Sequence, residues 1–234
     1  MRRIARIFLK RPFVLVVVVV WMIVSPLMAQ GEEGVWNLPA PEVNSAVSLE
    51  EAFVARRTVR SFRGDPLTER QLAQLLWAAN GINPKREGRR TVPSAGALFP
   101  LDLYVVVGDP GVREGAAGVY HYDAWSHALR MLQPGDKRKG LAQSCVGQMW
   151  VARAPVVIVI AGEYERTTRK YGERGIRYVH MEAGHAAQNL LLQTRTVGLS
   201  AGIVGAFYDD TVSQVLGLPS THRPLLVLPV GSPR

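Results

Sequence analysis

The sequence is almost without cysteine, since Cys145 is the only one among 234 residues. No intramolecular disulfide can form, and a structural zinc site made of cysteines is excluded. The chain also lacks a GxGxxG turn between strand and helix and a GxxxxGK[ST] loop, so neither common nucleotide-phosphate motif is present. No internal repeat recurs at a fixed period, which argues against a solenoid or a propeller.

The net charge is also small once the N-terminal residues are left out of the count. The formal net charge is +9, but five of the 28 lysines and arginines lie in the first eleven residues. The remainder holds 23 basic and 19 acidic residues, a balance of +4. The charge therefore gives no reason to expect a nucleic-acid partner.

The first 29 residues have the composition of an export signal. A basic start, Met1–Arg11, precedes an apolar run, and Leu27-Met28-Ala29 resembles a cleavage site. The run is also long enough for a marginal membrane anchor. Residues 1–29 are predicted to be a signal peptide or a membrane anchor. The domain is then exported to the periplasm or another extracytoplasmic compartment, and the membrane is a partner only if the segment stays uncleaved.

Residues 30–47 are rich in Pro, Glu and Gly and are predicted to be a linker, followed by one domain over 48–234. Capping boxes at Ser48 and Thr68 and apolar periodicity predict helices, and β-prone runs predict strands. A mixed central sheet covered by helices, in an α+β fold, is expected. The predicted helices are Glu69–Asn80, which Gly81 ends, Lys137–Trp150, Tyr178–Val197 and Asp209–Leu216. The predicted strands are Leu101–Val107, Val119–Asp123, His127–Leu132, Pro155–Ala161, Ala201–Ala206 and Pro224–Val230. Because Pro155–Ala161 contains no polar residue, it is expected to be central and buried on both faces.

Three segments have compositions suited to ligand binding. Arg56, Arg57, Thr58 and Arg60 place three guanidinium groups and a hydroxyl within five residues, and guanidinium groups bind phosphate through paired N–H donors. Taken alone, such a run is more typical of a solvated surface stretch.

The other two segments are built from small residues. Pro93, Ser94, Ala95 and Gly96 would let the backbone approach a flat ligand, although an ordinary loop into the next strand has the same composition. Ile203, Val204 and Gly205 belong to an apolar segment with three glycines, which weaken a strand unless something must approach its backbone.

Taken in order, these segments resemble the FMN-binding nitroreductase superfamily: Arg-Arg-Thr-x-Arg-x-Phe at 56–62, Pro-Ser-Ala-Gly at 93–96 and the glycine-rich stretch at 198–205. Further motifs are similar to the SagB/ThcOx-type dehydrogenase branch, which includes azoline oxidases. They are Gly118–Asp123, Arg169–Tyr178 and Glu182–Asn189. The resemblance covers roughly Glu51 to Gly231.

The resemblance implies an intertwined homodimer with FMN at the interface. The four residues of the basic run would hold the ribityl phosphate, Pro93–Gly96 would come from the partner subunit and line the flavin ring, and Ile203–Gly205 would sit near flavin N5. Basic residues in a C-terminal tail complete the phosphate site in many relatives. Arg234 is the candidate for that role here.

Lys170 and Tyr171 are the best match to the Lys-Tyr pair of the azoline oxidases. A lysine in an apolar site can lose its proton near neutral pH and act as a base, with Tyr171 orienting the substrate or relaying the proton. A solvent-facing pair in a polar loop, predicted over Glu163–Arg177, explains the same residues equally well. No metal site is predicted, because His180 and His185 are five residues apart and would diverge on a helix.

Three functions remain open. The first is FMN-dependent hydride transfer between flavin N5 and a small organic or peptide-derived substrate. The second is reduction of nitro or quinone compounds, with NAD(P)H as the electron donor. The third is a non-catalytic flavin-binding protein.

Overall fold

The computed structural model describes residues 34–86 and 88–234, which form one unit from Gly34 to the last residue. Seven strands pair into one sheet in the order β1-β4-β3-β2-β5-β7-β6. Their bounds are β1 Val35–Asn37, β2 Leu101–Val107, β3 Gly118–Asp123, β4 Ala128–Pro134, β5 Val156–Gly162, β6 Ser200–Ala201 and β7 Arg223–Gly231.

Strand β5 lies in the interior of the sheet, between β2 and β7. All seven of its residues are buried, which confirms the prediction that this run without polar residues is covered on both faces. Every pairing between the named strands of the described chain is antiparallel, so the expectation of a mixed sheet was wrong. Strand β1 lies inside the segment predicted to be a linker and pairs with β4 at the sheet edge.

Six helices cover the sheet: α1 Leu49–Ala55, α2 Glu69–Asn80, α3 Arg138–Ser144, α4 Tyr164–Tyr171, α5 Arg174–Thr196 and α6 Asp209–Leu216. Capping boxes begin α1 at Ser48 and α2 at Thr68, as predicted. Helix α5 buries one face, including Val179, Ala183 and Leu190, in the core. The α+β fold with helices over the sheet is confirmed.

Three predicted elements differ from the structure. The helix expected over Lys137–Trp150 ends at Ser144, because Val146 and Gly147 adopt positive φ angles of 55° and 70°. The strand expected over Ala201–Ala206 is reduced to β6 and one bridge between Val204 and Val227.

The polar loop predicted over Glu163–Arg177 is helical through most of its length. It forms α4, a break at Gly172 and the start of α5. Gly172 has a φ angle of 56°, which separates the two helices. The segment is too polar to show a clear apolar stripe, and long-range ion pairs described below hold α4 in place.

The predicted signal or anchor falls outside the described residues. None of the helices that the structure does describe is long and apolar enough to cross a membrane.

Candidate active site

The basic run and the glycine-rich segment lie side by side. The Val59 N–H donates to the Ala201 carbonyl over 3.0 Å, and a Cβ built on Gly202 would stand 2.7 Å from the Val59 carbonyl oxygen. Gly202 therefore permits a backbone contact that any side chain would block. Val59 is buried, whereas Arg57 and Arg60 on either side of it are exposed. Thr58 is exposed and Arg56 is half-buried.

Arg234 lies next to the same basic run. Its backbone N–H donates to the Ser61 carbonyl over 3.2 Å, and its Nε donates to the Phe62 carbonyl over 2.9 Å. Arg60 places its guanidinium 5.8 Å from the centre of the Trp150 ring, within cation–π distance. Cationic side chains from both ends of the domain thus meet beside the glycine-rich segment.

A cavity of about 690 Å³ opens along this segment, with Ile203 and Gly205 in its wall and α5 opposite. Val204 is tied to β7, since its N–H donates to the Val227 carbonyl over 2.8 Å and its carbonyl accepts from Val227 over 3.0 Å. Within residues 34–86 and 88–234, the N–H groups of Ile203 and Gly205 meet no protein acceptor. A Cβ built on Gly205 would meet nothing within 4 Å, so its surroundings are open.

These features fit a flavin. The cavity wall offers apolar surface and backbone donors for a flat heteroaromatic ring, and the open space at Gly205 allows the ring to approach the backbone. The exposed cations lie in the adjoining segment, where a phosphate could be held. If FMN binds here, Ile203 and Gly205 would face the ring, and Arg57, Arg60 and Arg234 would be the candidates for the phosphate.

The Pro93–Gly96 loop contacts the Lys-Tyr pair. A Cβ built on Gly96 would stand 2.7 Å from the Tyr171 hydroxyl oxygen and 3.2 Å from Lys170 Nζ. Gly96 has a φ angle of 62°, which glycine adopts without the strain of other residues. The structure therefore brings together two motifs that are 74 positions apart in the sequence.

Lys170 is exposed, not enclosed by apolar groups, and its ammonium lies 5.4 Å from the centre of the Tyr171 ring. Tyr171 is half-buried and packs edge-to-face on Tyr178, with the ring centres 5.2 Å apart. The single chain thus leaves Lys170 without an apolar enclosure, although the pair does border the predicted flavin-lining loop.

The loop also lines a second cavity of about 290 Å³, together with Tyr178, Met181, Glu182 and His185 of α5. The large cavity uses other positions of the same helix, His180, Ala183 and Gly184. At 100° per residue these two sets occupy opposite faces of α5. Within one chain, the Pro93–Gly96 loop and the Ile203–Gly205 segment are therefore on different sides of the helix.

A group of ionisable side chains, which the sequence analysis did not predict, anchors α4 to the sheet. Arg166 Nη2 lies 2.9 Å from Asp102 Oδ2 of β2, and its Nε lies 2.5 Å from Glu163 Oε2. Arg166 Nη1 also donates to the Phe99 carbonyl over 3.1 Å, at the end of the loop that holds Gly96. One guanidinium thus connects the sheet, the loop and the helix that ends in Lys170-Tyr171.

Histidines complete this group. His121 Nε2 is 2.9 Å from Asp102 Oδ1. His222 Nδ1 lies 2.6 Å from the Tyr104 hydroxyl, and His222 Nε2 lies 3.6 Å from Asp102 Oδ2. Burial opposes ionisation of Asp102, but the His121 hydrogen bond and the Arg166 and histidine charges hold its pKa below its ordinary value. Asp102, Glu163 and His222 each offer an atom within 4.8 Å of the others, but Arg166 binds both carboxylates.

A family model described as the nitroreductase family matches residues 54–232. The chain belongs to the nitroreductase family. MJ1384 of Methanocaldococcus jannaschii, a nitroreductase by inference, is 46% identical over 196 residues, 83% of this chain and 96% of that protein. The microcin B17-processing protein McbC of Escherichia coli is 28% identical, over 69% of this chain and 61% of McbC.

A crystal structure supports the same assignment. A Ralstonia eutropha JMP134 protein, also a nitroreductase by inference, superposes with a TM-score of 0.75 at 30% identity, over 86% of this chain and 90% of that one. Nitroreductase-family proteins typically bind FMN and are often dimers. The chain therefore has the fold of a flavin-type oxidoreductase.

Proposed function

We propose that this protein is an FMN-dependent oxidoreductase of the SagB/ThcOx type, which dehydrogenates a small organic or peptide-derived substrate. The contact of Gly96 with Lys170 and Tyr171 carries the proposal, because it places a candidate base beside the predicted flavin-lining loop. The similarity to McbC, which is named for the processing of microcin B17, supports a peptide-derived substrate.

FMN, when bound, supplies a two-electron acceptor at its N5 position. The chain's own residues would bind the cofactor and handle the substrate's proton. Ile203 and Gly205 would offer backbone N–H donors to the ring edge, and Arg57, Thr58, Arg60 and Arg234 would bind the phosphate. The basic run would keep the cofactor in place by charge-assisted hydrogen bonds.

Lys170 and Tyr171 handle the proton that a carbon acid must lose when its hydride leaves. The neutral lysine amine takes this proton, and Tyr171 orients the substrate or relays the proton. A partner subunit and substrate would cover the exposed lysine and shield it from solvent.

We further propose that the active site is assembled from two subunits. The two cavities lie on opposite faces of α5, so the Pro93–Gly96 loop of one chain cannot cover that chain's own Ile203–Gly205 cavity without crossing the helix. In a homodimer, the loop and Lys170-Tyr171 of one subunit would complete the cavity of the other.

A second candidate function is reduction of nitro or quinone compounds with NAD(P)H, which the similarity to MJ1384 favours. Electron flow into the flavin distinguishes the two functions. Anaerobic addition of NADPH would bleach the flavin of a reductase, whereas an oxazoline-containing peptide would bleach the flavin of a dehydrogenase.

The decisive experiment uses the purified protein reconstituted with FMN. We expect flavin absorbance bands, bleaching by the peptide, and loss of that bleaching in Lys170→Met and Tyr171→Phe with flavin content unchanged. Lys139→Met, an exposed lysine on α3, is the matched control. Absence of bound flavin after reconstitution overturns the proposal, and bleaching by NADPH alone replaces it with the reductase.

A further inference from the structure

Glu182 is a buried carboxyl group beside the Pro93–Gly96 loop. Its side chain projects from α5 and only 3% of the residue is exposed. Oε1 of Glu182 has no hydrogen-bond partner in the part of the chain that the structure describes. Burying a polar atom without a partner costs free energy, so an unpaired carboxyl oxygen at this position calls for an explanation.

The groups that face Glu182 come from three segments. Ser94 and Ala95 are on the loop, His185 and Tyr178 are on the same helix, and Arg90 precedes the loop. The Arg90 guanidinium donates to the Asn80 carbonyl over 2.8 Å, and no cation of the described chain lies within 4 Å of the carboxyl.

The balance of these groups makes the Glu182 carboxyl easier to protonate than an ordinary glutamate. Burial raises the pKa of Glu182 to about 7, although hydrogen bonds from the Ser94 side chain and the Ala95 backbone and the Arg90 charge oppose the shift. A carboxyl with a pKa close to neutral can both accept and release a proton at that pH.

Glu182 is also connected in space to the Lys-Tyr pair. Tyr178 lies one helical turn before Glu182 and lines the same 290 Å³ cavity, and the Tyr178 ring packs on Tyr171. On the other side, Gly96 next to Ala95 contacts the Tyr171 hydroxyl. The cavity is large enough for water molecules that could bridge these polar groups.

We propose that Glu182 is a second proton-exchanging group of this active site, acting with Lys170 and Tyr171. This inference rests on the proposed function. The substrate loses two electrons and a hydrogen as hydride to FMN, and its other hydrogen leaves as a proton to the Lys-Tyr pair. The Glu182 carboxylate takes up that proton and becomes the acid, which later releases it to solvent.

The test counts the protons taken up when bound FMN is reduced photochemically in lightly buffered solution near pH 7.5, so that no substrate is needed. Reduction leaves negative charge in the site, and this charge raises the proton affinity of a neighbouring carboxyl. We expect the wild-type protein to take up more protons per FMN than Glu182→Gln does. Glu173→Gln, an exposed position near Tyr171, should match the wild type.

A second readout is the pH profile of flavin reduction by the peptide substrate. We expect Glu182→Gln to slow reduction by about 100-fold and to lose an ionisation near pH 7, with FMN affinity unchanged. Equal proton counts in wild type and Glu182→Gln overturn the inference alone. Failure of the wild type to bind FMN overturns the proposed function, and with it the role of Glu182.

Discussion

Gly96 lies against Tyr171 so closely that a single added methyl group would stand 2.7 Å from the tyrosine hydroxyl. The two residues belong to motifs that are distant in the sequence, and their contact fixes where the Lys-Tyr pair sits relative to the loop. The absence of a side chain at residue 96 is therefore a geometric requirement of the candidate site.

Gly96→Ala should unfold more readily by about 1–2 kcal/mol from its positive φ angle alone and should also displace Tyr171. Gly147→Ala is the matched control, because Gly147 has a φ angle of 70° but open space around it. Urea unfolding measures the shared strain, and flavin reduction by the peptide measures the displacement. The double variant Gly96→Ala/Tyr171→Phe should be more stable than Gly96→Ala, because it lacks the hydroxyl that the new methyl group would meet and keeps only the strain of the positive φ angle. Equal stability of the two variants would mean that the contact itself costs no free energy of folding.

Arg60→Ala should weaken FMN binding about tenfold and leave riboflavin binding unchanged, because riboflavin lacks the phosphate that the guanidinium binds. Fluorescence quenching of the two flavins gives both dissociation constants. Arg63→Ala is the control, since Arg63 is exposed nearby and pairs with Asp65 at 3.5 Å. Equal losses for both flavins would place Arg60 away from the phosphate.

Arg166→Met should destabilise the protein by about 2 kcal/mol at pH 7, less than a fully buried pair because a third of the Arg166 side chain is exposed. The folded-state pKa of Asp102 is depressed, so its stabilising contribution is present above its unfolded pKa and is lost as the pH falls through the folded value. Removing Arg166 raises that folded value.

Acid unfolding of Arg166→Met, followed by circular dichroism, should therefore begin at higher pH than in the wild type. Arg169→Met on the same helix removes only an exposed pair with Glu165 and should change the acid midpoint little. Identical midpoints for wild type and Arg166→Met would contradict the anchoring role.

Cys145 should resist thiol reagents at pH 8 in the native state and react only on unfolding. The side chain is fully buried, and burial raises the pKa of its thiol to about 11. The measurement is the rate of reaction with a chromogenic disulfide as urea is increased. Rapid labelling without denaturant would show that α3 opens in the native state.

Local signals predicted much of the fold. Helix α2 begins and ends where its capping box and Gly81 place it, and β2 and α6 match their predicted bounds, because caps and apolar periodicity are encoded within each segment. Local signals did not predict helix α4, because its anchor is Asp102, which is more than 60 positions away in the sequence and contacts Arg166 through the folded sheet.

The same distinction between signals within one segment and contacts between distant segments applies to the candidate site. The basic run, the Pro93–Gly96 loop and the glycine-rich segment could be chosen from composition and order. Their arrangement on opposite faces of α5 could not, because it depends on the packing of that helix. Glu182 was visible only as part of a motif, and its significance lies in its burial and its neighbours.

Because the single cysteine is buried, the surface of the folded protein offers no thiol to thiol-directed labels. A cysteine introduced at an exposed position such as Lys139 would be the sole reactive site, so a fluorophore could be attached there without background. Mixing donor-labelled and acceptor-labelled chains would then report subunit exchange by energy transfer, with the native residues of the cofactor cavity untouched.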